Sequence, residues 1–229
     1  MKHIVAAIVS IGFLFGVCSA ADKLELKDQK DKESYSLGYQ FGETMKLQGL
    51  EINEDVYTSA IRDALAGKEG QMSSEEMRST VMGLRQRMAA AQQKALKEQG
   101  DKNLAEGKAF LTENGKKKDV KTLPSGLQYK VLSEGAGKTP TKSDTVTVHY
   151  RGTFMNGTEF DSSIARGQPA TFKVDGVIPG WTEALQLMKQ GAKWQLFIPP
   201  ELAYGERGMP PRIPPQSTLI FEVELISVK

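Results

Sequence analysis

The fold of this chain is decided by residues 145–181, TVTVHYRGTFMNGTEFDSSIARGQPATFKVDGVIPGW. Apolar and polar residues alternate at its start, which predicts a strand from Thr145 to Phe154, because successive strand side chains point to opposite faces. Asn156-Gly157 follows and is a strong hairpin signal. Ala170 to Val174 is predicted as another strand, so the stretch indicates antiparallel sheet.

The flanking residues extend this sheet. Strands are predicted around Leu127–Val131, over Lys193–Pro199 and over Thr218–Val228, and a short helix is predicted from Trp181 to Gln190. One short helix packed on one face of an antiparallel sheet of about five strands is an α+β arrangement. We therefore expect residues 116–229 to form an α+β domain.

The segment before this domain is predicted to be helical. Helices are expected over Asp31–Gln48, from Asn53 to Gly67, and from Ser73 to Asn114, where a helix-favouring composition runs without proline. Apolar residues recur along the first half of the third helix with heptad spacing, and such a stripe needs a partner surface. Two arrangements remain open, a symmetric dimer of two chains and a bundle of three helices within one chain. The stripe consists of Met77, Val81, Leu84, Met88, Ala91 and Ala95.

The second half of that helix is polar on all sides from Leu96 to Gly107. A helix without an apolar face is either solvent-exposed or unstable, and Gly100 and Gly107 each weaken it by about 1 kcal/mol relative to alanine. We expect a rod that is bare along its middle. The predicted organisation is a signal peptide at residues 1–20, a helical dimerisation domain at 21–72, a long connecting helix at 73–115 and a β-rich domain at 116–229.

The first twenty residues resemble an export signal. Lys2 precedes an apolar run from Ile4 to Val17, and the small residues Cys18 to Ala21 follow. The run is short for a membrane span of about 20 residues. We expect cleavage near Ala20; a retained anchor and lipidation of Cys18 are the alternatives.

Charge and composition exclude several functions. The chain has 229 residues, a net charge of +2 and a single cysteine, Cys18, so charge gives no argument for nucleic acid binding. Cleavage near Ala20 would leave no disulfide and no thiol nucleophile. His149 would be the remaining histidine and falls on the wetter face of its strand, which argues against a metal site or a catalytic triad. No cofactor is expected.

The aromatic residues of the β-rich domain alternate with few polar groups, notably Asp161. An aromatic basin with one carboxylate at its edge suits an uncharged ring such as proline better than bond-breaking chemistry. Spacing alone also allows an ordinary aromatic core, a turn role for Asp161 and a plain loop role for Tyr204. The aromatic set is Tyr150, Phe160, Trp181, Tyr204 and Phe221.

Five motifs in order resemble the FKBP family of peptidyl-prolyl cis/trans isomerases. The upstream helices, with Tyr35-Ser36-Leu37-Gly38, resemble the macrophage infectivity potentiator (Mip) subgroup of exported bacterial FKBPs. The motifs are Val148-His149-Tyr150-Arg151-Gly152, Gly157-Thr158-Glu159-Phe160-Asp161-Ser162-Ser163, Val177-Ile178-Pro179-Gly180-Trp181, Ala203-Tyr204-Gly205 and Thr218-Leu219-Ile220-Phe221-Glu222-Val223-Glu224-Leu225.

The resemblance implies a peptidyl-prolyl isomerase that acts on unfolded or nascent exported polypeptides, assists their folding as a V-shaped homodimer, and binds macrolide inhibitors of the rapamycin type. It implies a location in the periplasm or outer cell envelope and no stable membrane span in the mature chain. The implied catalytic residues are Tyr150, Phe160, Asp161, Val177, Ile178, Trp181, Tyr204 and Phe221. Arg166, Ala203 and Ile213 are implied to bind substrate, with Arg166 orienting Asp161.

Some positions depart from familiar family members. Ala170 stands where a bulky aromatic often closes the pocket, so we expect that wall to be more open. Gly176 replaces a frequent acidic residue, and Met209 and Arg212 occupy a variable loop. Two other functions stay open from the sequence, a holdase chaperone whose pocket is incidental and a spacer that presents the C-terminal domain to a partner.

Overall fold

The computed structural model describes residues 24–229. The predicted signal peptide at residues 1–20, including Cys18, lies outside the described residues. The chain divides into two compact units between Ser74 and Glu75. The helices are α1 (Gln29–Leu47), α2 (Glu54–Leu65), α3 (Ser74–Asn114) and α4 (Pro179–Leu185); the strands are β1 (Lys121–Thr122), β2 (Gln128–Ser133), β3 (Thr145–Phe154), β4 (Glu159–Ser162), β5 (Ala170–Lys173), β6 (Lys193–Ile198) and β7 (Leu219–Val228).

The first unit consists of α1 and α2, each started by a side-chain cap. Asp28 accepts a hydrogen bond from the backbone N–H of Asp31 at 2.8 Å, which is why α1 begins at Gln29, earlier than the predicted Asp31. The second helix was predicted to start at Asn53, and Asn53 caps α2 by accepting a hydrogen bond from the N–H of Val56 at 3.1 Å.

Neither helix of this unit buries a residue within the chain. Their large apolar side chains are instead exposed, up to 88% for Leu47 and 85% for Leu65. Phe41 and Tyr57 stack with ring centroids 6.0 Å apart, but this pair is not enough to form a core. Further exposed apolar residues of this unit include Tyr35, Leu37, Tyr39, Ile52, Val56 and Ile61.

The α3 helix runs for 41 residues, which corresponds to about 60 Å. Its polar second half is not bare, because Gly100, Gly107 and Asn114 are buried. The ring of Phe110 lies 6.0 Å from that of Phe197 on β6, and Asn114 donates a hydrogen bond to Gln128 on β2 at 3.0 Å. The expectation of a bare rod over Leu96–Gly107 is therefore wrong for its last turns, which pack on the β-rich domain. Among residues 24–229, every helix is too short or too polar to cross a membrane.

The second unit is built on a seven-stranded antiparallel sheet in the order β1-β2-β6-β7-β3-β4, with β5 also paired to β3. Register shifts interrupt β2, β3 and the β3–β4 pair, and such bulges bend and twist a sheet. The predicted α+β class is confirmed, with two more strands than expected. The boundaries predicted between the domains stay predictions.

The α4 helix packs on one face of this sheet. Pro179 occupies its first turn, where the missing N–H costs nothing. Gly180 is buried, and its lack of a side chain allows this close packing, because a Cβ there would lie 2.6 Å from Cγ2 of Ile198 on β6. Trp181, Ala184 and Leu185 are buried, and α4 lies earlier than the expected Trp181–Gln190 and ends at Leu185.

Candidate active site

A cavity of about 410 Å³ opens between α4, the sheet and the loop that follows β6. We refer to it as the aromatic cavity. Most of its wall is ring or aliphatic surface, with Asp161 and Arg212 as the charged groups. It is lined by Tyr150, Phe160, Asp161, Phe172, Gly176, Val177, Ile178, Trp181, Tyr204, Met209, Arg212 and Phe221.

Trp181 forms the base of the aromatic cavity and is 4% exposed. Three rings meet the indole edge to face: Tyr150 at 5.3 Å and 86°, Phe221 at 5.2 Å and 84°, and Phe172 at 6.0 Å and 87°. Edge-to-face pairs are a favoured aromatic geometry, each worth about 0.5–1.5 kcal/mol beyond the area that they bury. The indole is therefore held in a fixed orientation by rings from three strands.

Gly152 on β3 allows the walls to come together. It is paired in register with Asp161 on β4 and with Phe221 on β7. A Cβ at Gly152 would lie 2.7 Å from ring atoms of both Phe160 and Phe221, which themselves pack edge to face at 5.5 Å and 89°. The absence of a side chain here lets both rings reach the cavity.

The polar edge of the aromatic cavity is a triad of Asp161, Tyr150 and Arg166. The Tyr150 hydroxyl donates to Oδ2 of Asp161 at 2.6 Å, and Nη2 of Arg166 donates to the Tyr150 hydroxyl at 2.8 Å. Nη1 of Arg166 also forms an ion pair with Oδ1 of Asp161. The carboxylate thus has a compensating charge and a fixed direction.

These contacts shift the acid–base equilibria of the site. Burial raises the pKa of Asp161, but the hydrogen bonds from Tyr150 and Arg166 outweigh it and hold that pKa below its usual value. Burial, together with the hydrogen bond to Asp161, raises the pKa of Tyr150. Burial and then the negative charge of Asp161 raise the pKa of Tyr204. Near neutral pH, Asp161 is ionised and both tyrosines keep their protons.

All eight residues predicted as catalytic line the aromatic cavity, whereas the three predicted to bind substrate do not. Arg166 contacts Asp161, as the resemblance implied. Ala203 is half-buried against the core and Ile213 is 1% exposed inside it, and neither is among the residues that line the cavity. The functional roles of all eleven residues stay predictions.

Phe172 was missed: its ring lines the aromatic cavity and packs edge to face on Trp181, whereas Ala170, which was expected to open one wall, does not line the cavity. Ala170 and Phe172 are two residues apart on β5 and are both partly buried while Thr171 and Lys173 are exposed, so strand alternation could have found Phe172. Gly176, Met209 and Arg212, noted only as departures from the family, also line the cavity.

Residues 24–229 contain no group of three or more histidine, cysteine, aspartate or glutamate side chains that could hold a metal ion. The residues that converge on the aromatic cavity are instead rings, aliphatic groups, the guanidinium of Arg212 and one carboxylate that already has an arginine partner. This arrangement can bind an uncharged ring and orient a carbonyl group beside it.

Comparison with known proteins identifies the family. A profile described as "FKBP-type peptidyl-prolyl cis-trans isomerase" matches residues 136–226, and one described as "Domain amino terminal to FKBP-type peptidyl-prolyl isomerase" matches residues 30–131. The chain is 45% identical to a protein named peptidyl-prolyl cis-trans isomerase Mip from Coxiella burnetii, with 100% of this chain and 99% of that one covered. It is 44% identical to the outer membrane protein MIP of Legionella longbeachae, over 100% of this chain and 98% of the other.

A solved crystal structure is similar to this chain as well. The crystal structure of FkpA from Escherichia coli matches with a TM-score of 0.73 at 41% identity, covering 90% of this chain and 99% of the other. The match extends over helices and sheet, well beyond the cavity-bearing domain. Because two relatives are 44% and 45% identical over the whole chain and both family profiles match, the chain belongs to the FKBP-type peptidyl-prolyl cis-trans isomerases.

Proposed function

We propose that the aromatic cavity is the isomerase site and that it speeds rotation about X-Pro bonds without any covalent step. Resonance gives the amide C–N bond a rotational barrier of about 18–20 kcal/mol. Twisting the bond breaks this resonance and lowers the polarity of the carbonyl. An apolar surface therefore favours the twisted amide over the planar, well-hydrated one, which is differential binding of the transition state.

The proline ring would rest on the indole of Trp181, bounded by the rings of Tyr150 and Phe221. The observation that carries this assignment is the set of three edge-to-face rings that fix the indole at the base of the cavity. Phe160 and Val177 would close the sides, since both line the same cavity.

The polar groups would orient the substrate chain around the twisting bond. The backbone N–H of Ile178 and the hydroxyl of Tyr204 would each donate to a substrate carbonyl. Asp161 would lie beside the imide, held in place by Tyr150 and Arg166. Because Asp161 is already paired, it contributes a fixed local dipole to the site and is not available as a proton carrier.

A protease-free isomerisation assay on a proline peptide tests this proposal. Trp181→Leu should lower kcat/KM at least about tenfold, since it removes the surface that receives the ring. Trp194→Leu is the matched control: its indole is also buried, but it stacks on Tyr129 at 4.2 Å and does not line the aromatic cavity. Equal losses in the two folded variants would contradict the assignment. A rapamycin-type macrolide should compete with the peptide in wild type and not in Trp181→Leu.

The chain would act as a homodimer joined through α1 and α2. The support is the absence of any buried residue in either helix, together with the exposure of Leu37, Phe41, Leu47 and Leu65. Exposed apolar surface of this kind is typical of a protein–protein contact. Sedimentation at micromolar concentration should give twice the chain mass, and a monomer there would contradict the dimer.

A folding-chaperone activity of this dimer is a second candidate function. Apolar side chains on α1 and α2 that stay outside the dimer contact would bind unfolded chains. The Trp181→Leu variant should then still suppress aggregation of a denatured client protein while its isomerase activity is lost. If both activities disappear together, the chaperone function depends on the cavity alone.

Export to the periplasm or outer cell envelope completes the proposal. It is supported by the basic and apolar order of residues 2–17 and by a relative of 44% identity that is named an outer membrane protein. Mass spectrometry of the protein from fractionated cells should find a mature chain beginning near Ala21. A cytosolic chain that still carries Met1 would refute export.

A further inference from the structure

Two glycines of α3 mark the place where this helix touches the loop that follows β6. A Cβ at Gly107 would lie 2.2 Å from Oγ1 of Thr218, and one at Gly100 would lie 3.2 Å from Cβ of Pro215. Both glycines are buried although the helix around them is polar. Neither is needed for its backbone conformation, so the close approach of the helix to the loop is what requires them.

Asn103 lies between the two glycines on the same face of the helix, since positions 100, 103 and 107 follow helical spacing. Its Nδ2 donates to the carbonyl oxygen of Pro215 at 2.8 Å. The Thr218 hydroxyl is buried without a hydrogen-bond partner in the described part of the chain. It faces the bare Cα of Gly107, a position from which a weak Cα–H···O contact is available.

Gln216 connects the part of the loop that contacts α3 to the cavity wall. Its backbone N–H donates to the carbonyl of Gly205 at 2.9 Å, and Gly205 directly follows Tyr204 in the aromatic cavity. Gln216 has φ of 55°, a left-handed conformation that a residue with a side chain adopts only where its surroundings impose it. Its Cγ lies 3.5 Å from the Cβ position of Gly100, so the helix is one of those surroundings.

The other end of the loop supplies two residues of the cavity rim. Met209 and Ile213 exchange backbone hydrogen bonds of 2.8 and 2.9 Å, which closes a short hairpin around Arg212. Met209 and Arg212 line the aromatic cavity, while Ile213 is anchored in the core. The orientation of this hairpin therefore depends on where residues 214–218 are held.

We propose that Gly100, Asn103 and Gly107 are positioning residues of the isomerase: they hold the loop over residues 205–218 and thereby set the rim formed by Tyr204, Met209 and Arg212. The base of the cavity, Trp181, and the Asp161 triad stand on other elements. Displacing the loop should accordingly weaken contacts to the residues that flank proline without changing the twist of the bond itself. The inference rests on the aromatic cavity being the isomerase site.

The first test compares Gly107→Ala with Gly83→Ala in the full-length chain. Gly83 lies in the same helix, and a Cβ there would meet only a flexible Arg87 side chain at 3.7 Å. Gly107→Ala should raise KM for a proline peptide about threefold to tenfold, with kcat within about twofold of wild type. This pattern results when binding of the substrate and of the transition state is weakened equally. Gly83→Ala should leave both parameters unchanged.

A rescue variant separates a displaced loop from a damaged helix. Thr218→Ala removes the hydroxyl that a Cβ at position 107 would strike, leaving the two Cβ positions 3.3 Å apart. The double variant Gly107→Ala/Thr218→Ala should recover most of the wild-type KM. A wild-type KM in Gly107→Ala, or a raised KM that the second substitution does not lower, would overturn the proposal.

Asn103→Ala provides a second measurement if Gly107→Ala fails to fold. It removes the hydrogen bond to Pro215 without adding any atom, and Lys102→Ala next to it is the exposed control. Across a panel of peptides that differ in the residues flanking proline, Asn103→Ala should change the ratios of kcat/KM by about threefold or more. Unchanged ratios would refute the inference, whereas the assignment of the cavity itself is tested separately by Trp181→Leu.

Discussion

Gly152→Ala is the smallest change that tests whether the rings of the aromatic cavity are fixed by the sheet. The added methyl carbon would start 2.7 Å from Cζ of Phe160 and from Cε1 of Phe221. Carbon atoms in contact prefer about 3.5–4.0 Å, so each ring would have to retreat by about 1 Å. Phe221 already abuts Trp181 at 5.2 Å, so its retreat presses on the indole.

The expected cost follows from this geometry. Forcing one methyl group into a packed aromatic wall costs about 1–3 kcal/mol. If about 1.4 kcal/mol of this opposes substrate binding, kcat/KM falls about tenfold. The free energy of unfolding, measured with urea, should decrease by an amount in the same range.

The assay is peptide isomerisation without a coupling protease, at matched concentrations of folded protein. Thr153→Ala is the control, since Thr153 is the next residue of β3 and does not line the aromatic cavity. Near-ultraviolet circular dichroism should change in Gly152→Ala alone, because its rings move. An active Gly152→Ala variant with wild-type kcat/KM and an unchanged spectrum would refute the reasoning.

Three further changes probe the site. Tyr150→Phe removes one of the hydrogen bonds that hold the pKa of Asp161 low, so on acidification from about pH 7 its kcat/KM should fall at a higher pH than that of wild type, as a pH–rate profile will show. The charged Asp161 stabilises the fold above its unfolded pKa, and this contribution disappears as the pH falls through the lower folded pKa. Gly180→Ala should lower the free energy of unfolding by about 1–3 kcal/mol in urea, because its Cβ would lie 2.6 Å from Cγ2 of Ile198. Phe172→Ala should raise KM about threefold or more by opening the wall beside Trp181, and an unchanged KM would show that Phe172 does not contact substrate.

Much of the fold follows from local sequence patterns. The Asn53 cap, the bounds of β3 and the turn at Asn156-Gly157 depend on neighbouring residues only, and the structure confirms them. The prediction also covers the full length of α3 and starts one residue early, because propensity and the absence of proline are local properties.

Features that depend on distant partners were missed. A glycine in a helix looks like a loss of propensity, so Gly107 was counted as a weak point, whereas its role comes from Thr218, more than a hundred residues later. Alternation along β5 places Phe172 on the same face as Ala170, but the pairing of β5 with β3, which spacing along the chain does not specify, brings that face to the cavity. The predicted cavity residues came from family motifs, because aromatic spacing alone allowed an ordinary core.

The lack of buried residues in α1 and α2 determines how this molecule should respond to dilution. Helices of 19 and 12 residues that bury nothing within their own chain are marginal in water. In the dimer that we propose, their persistence depends on protein concentration, whereas the sheet carries its own core. Progressive dilution should therefore lower the helical signal of α1 and α2 in far-ultraviolet circular dichroism. Over the same dilution, the turnover of a short peptide per chain should stay constant, so that loss of assembly leaves catalysis intact.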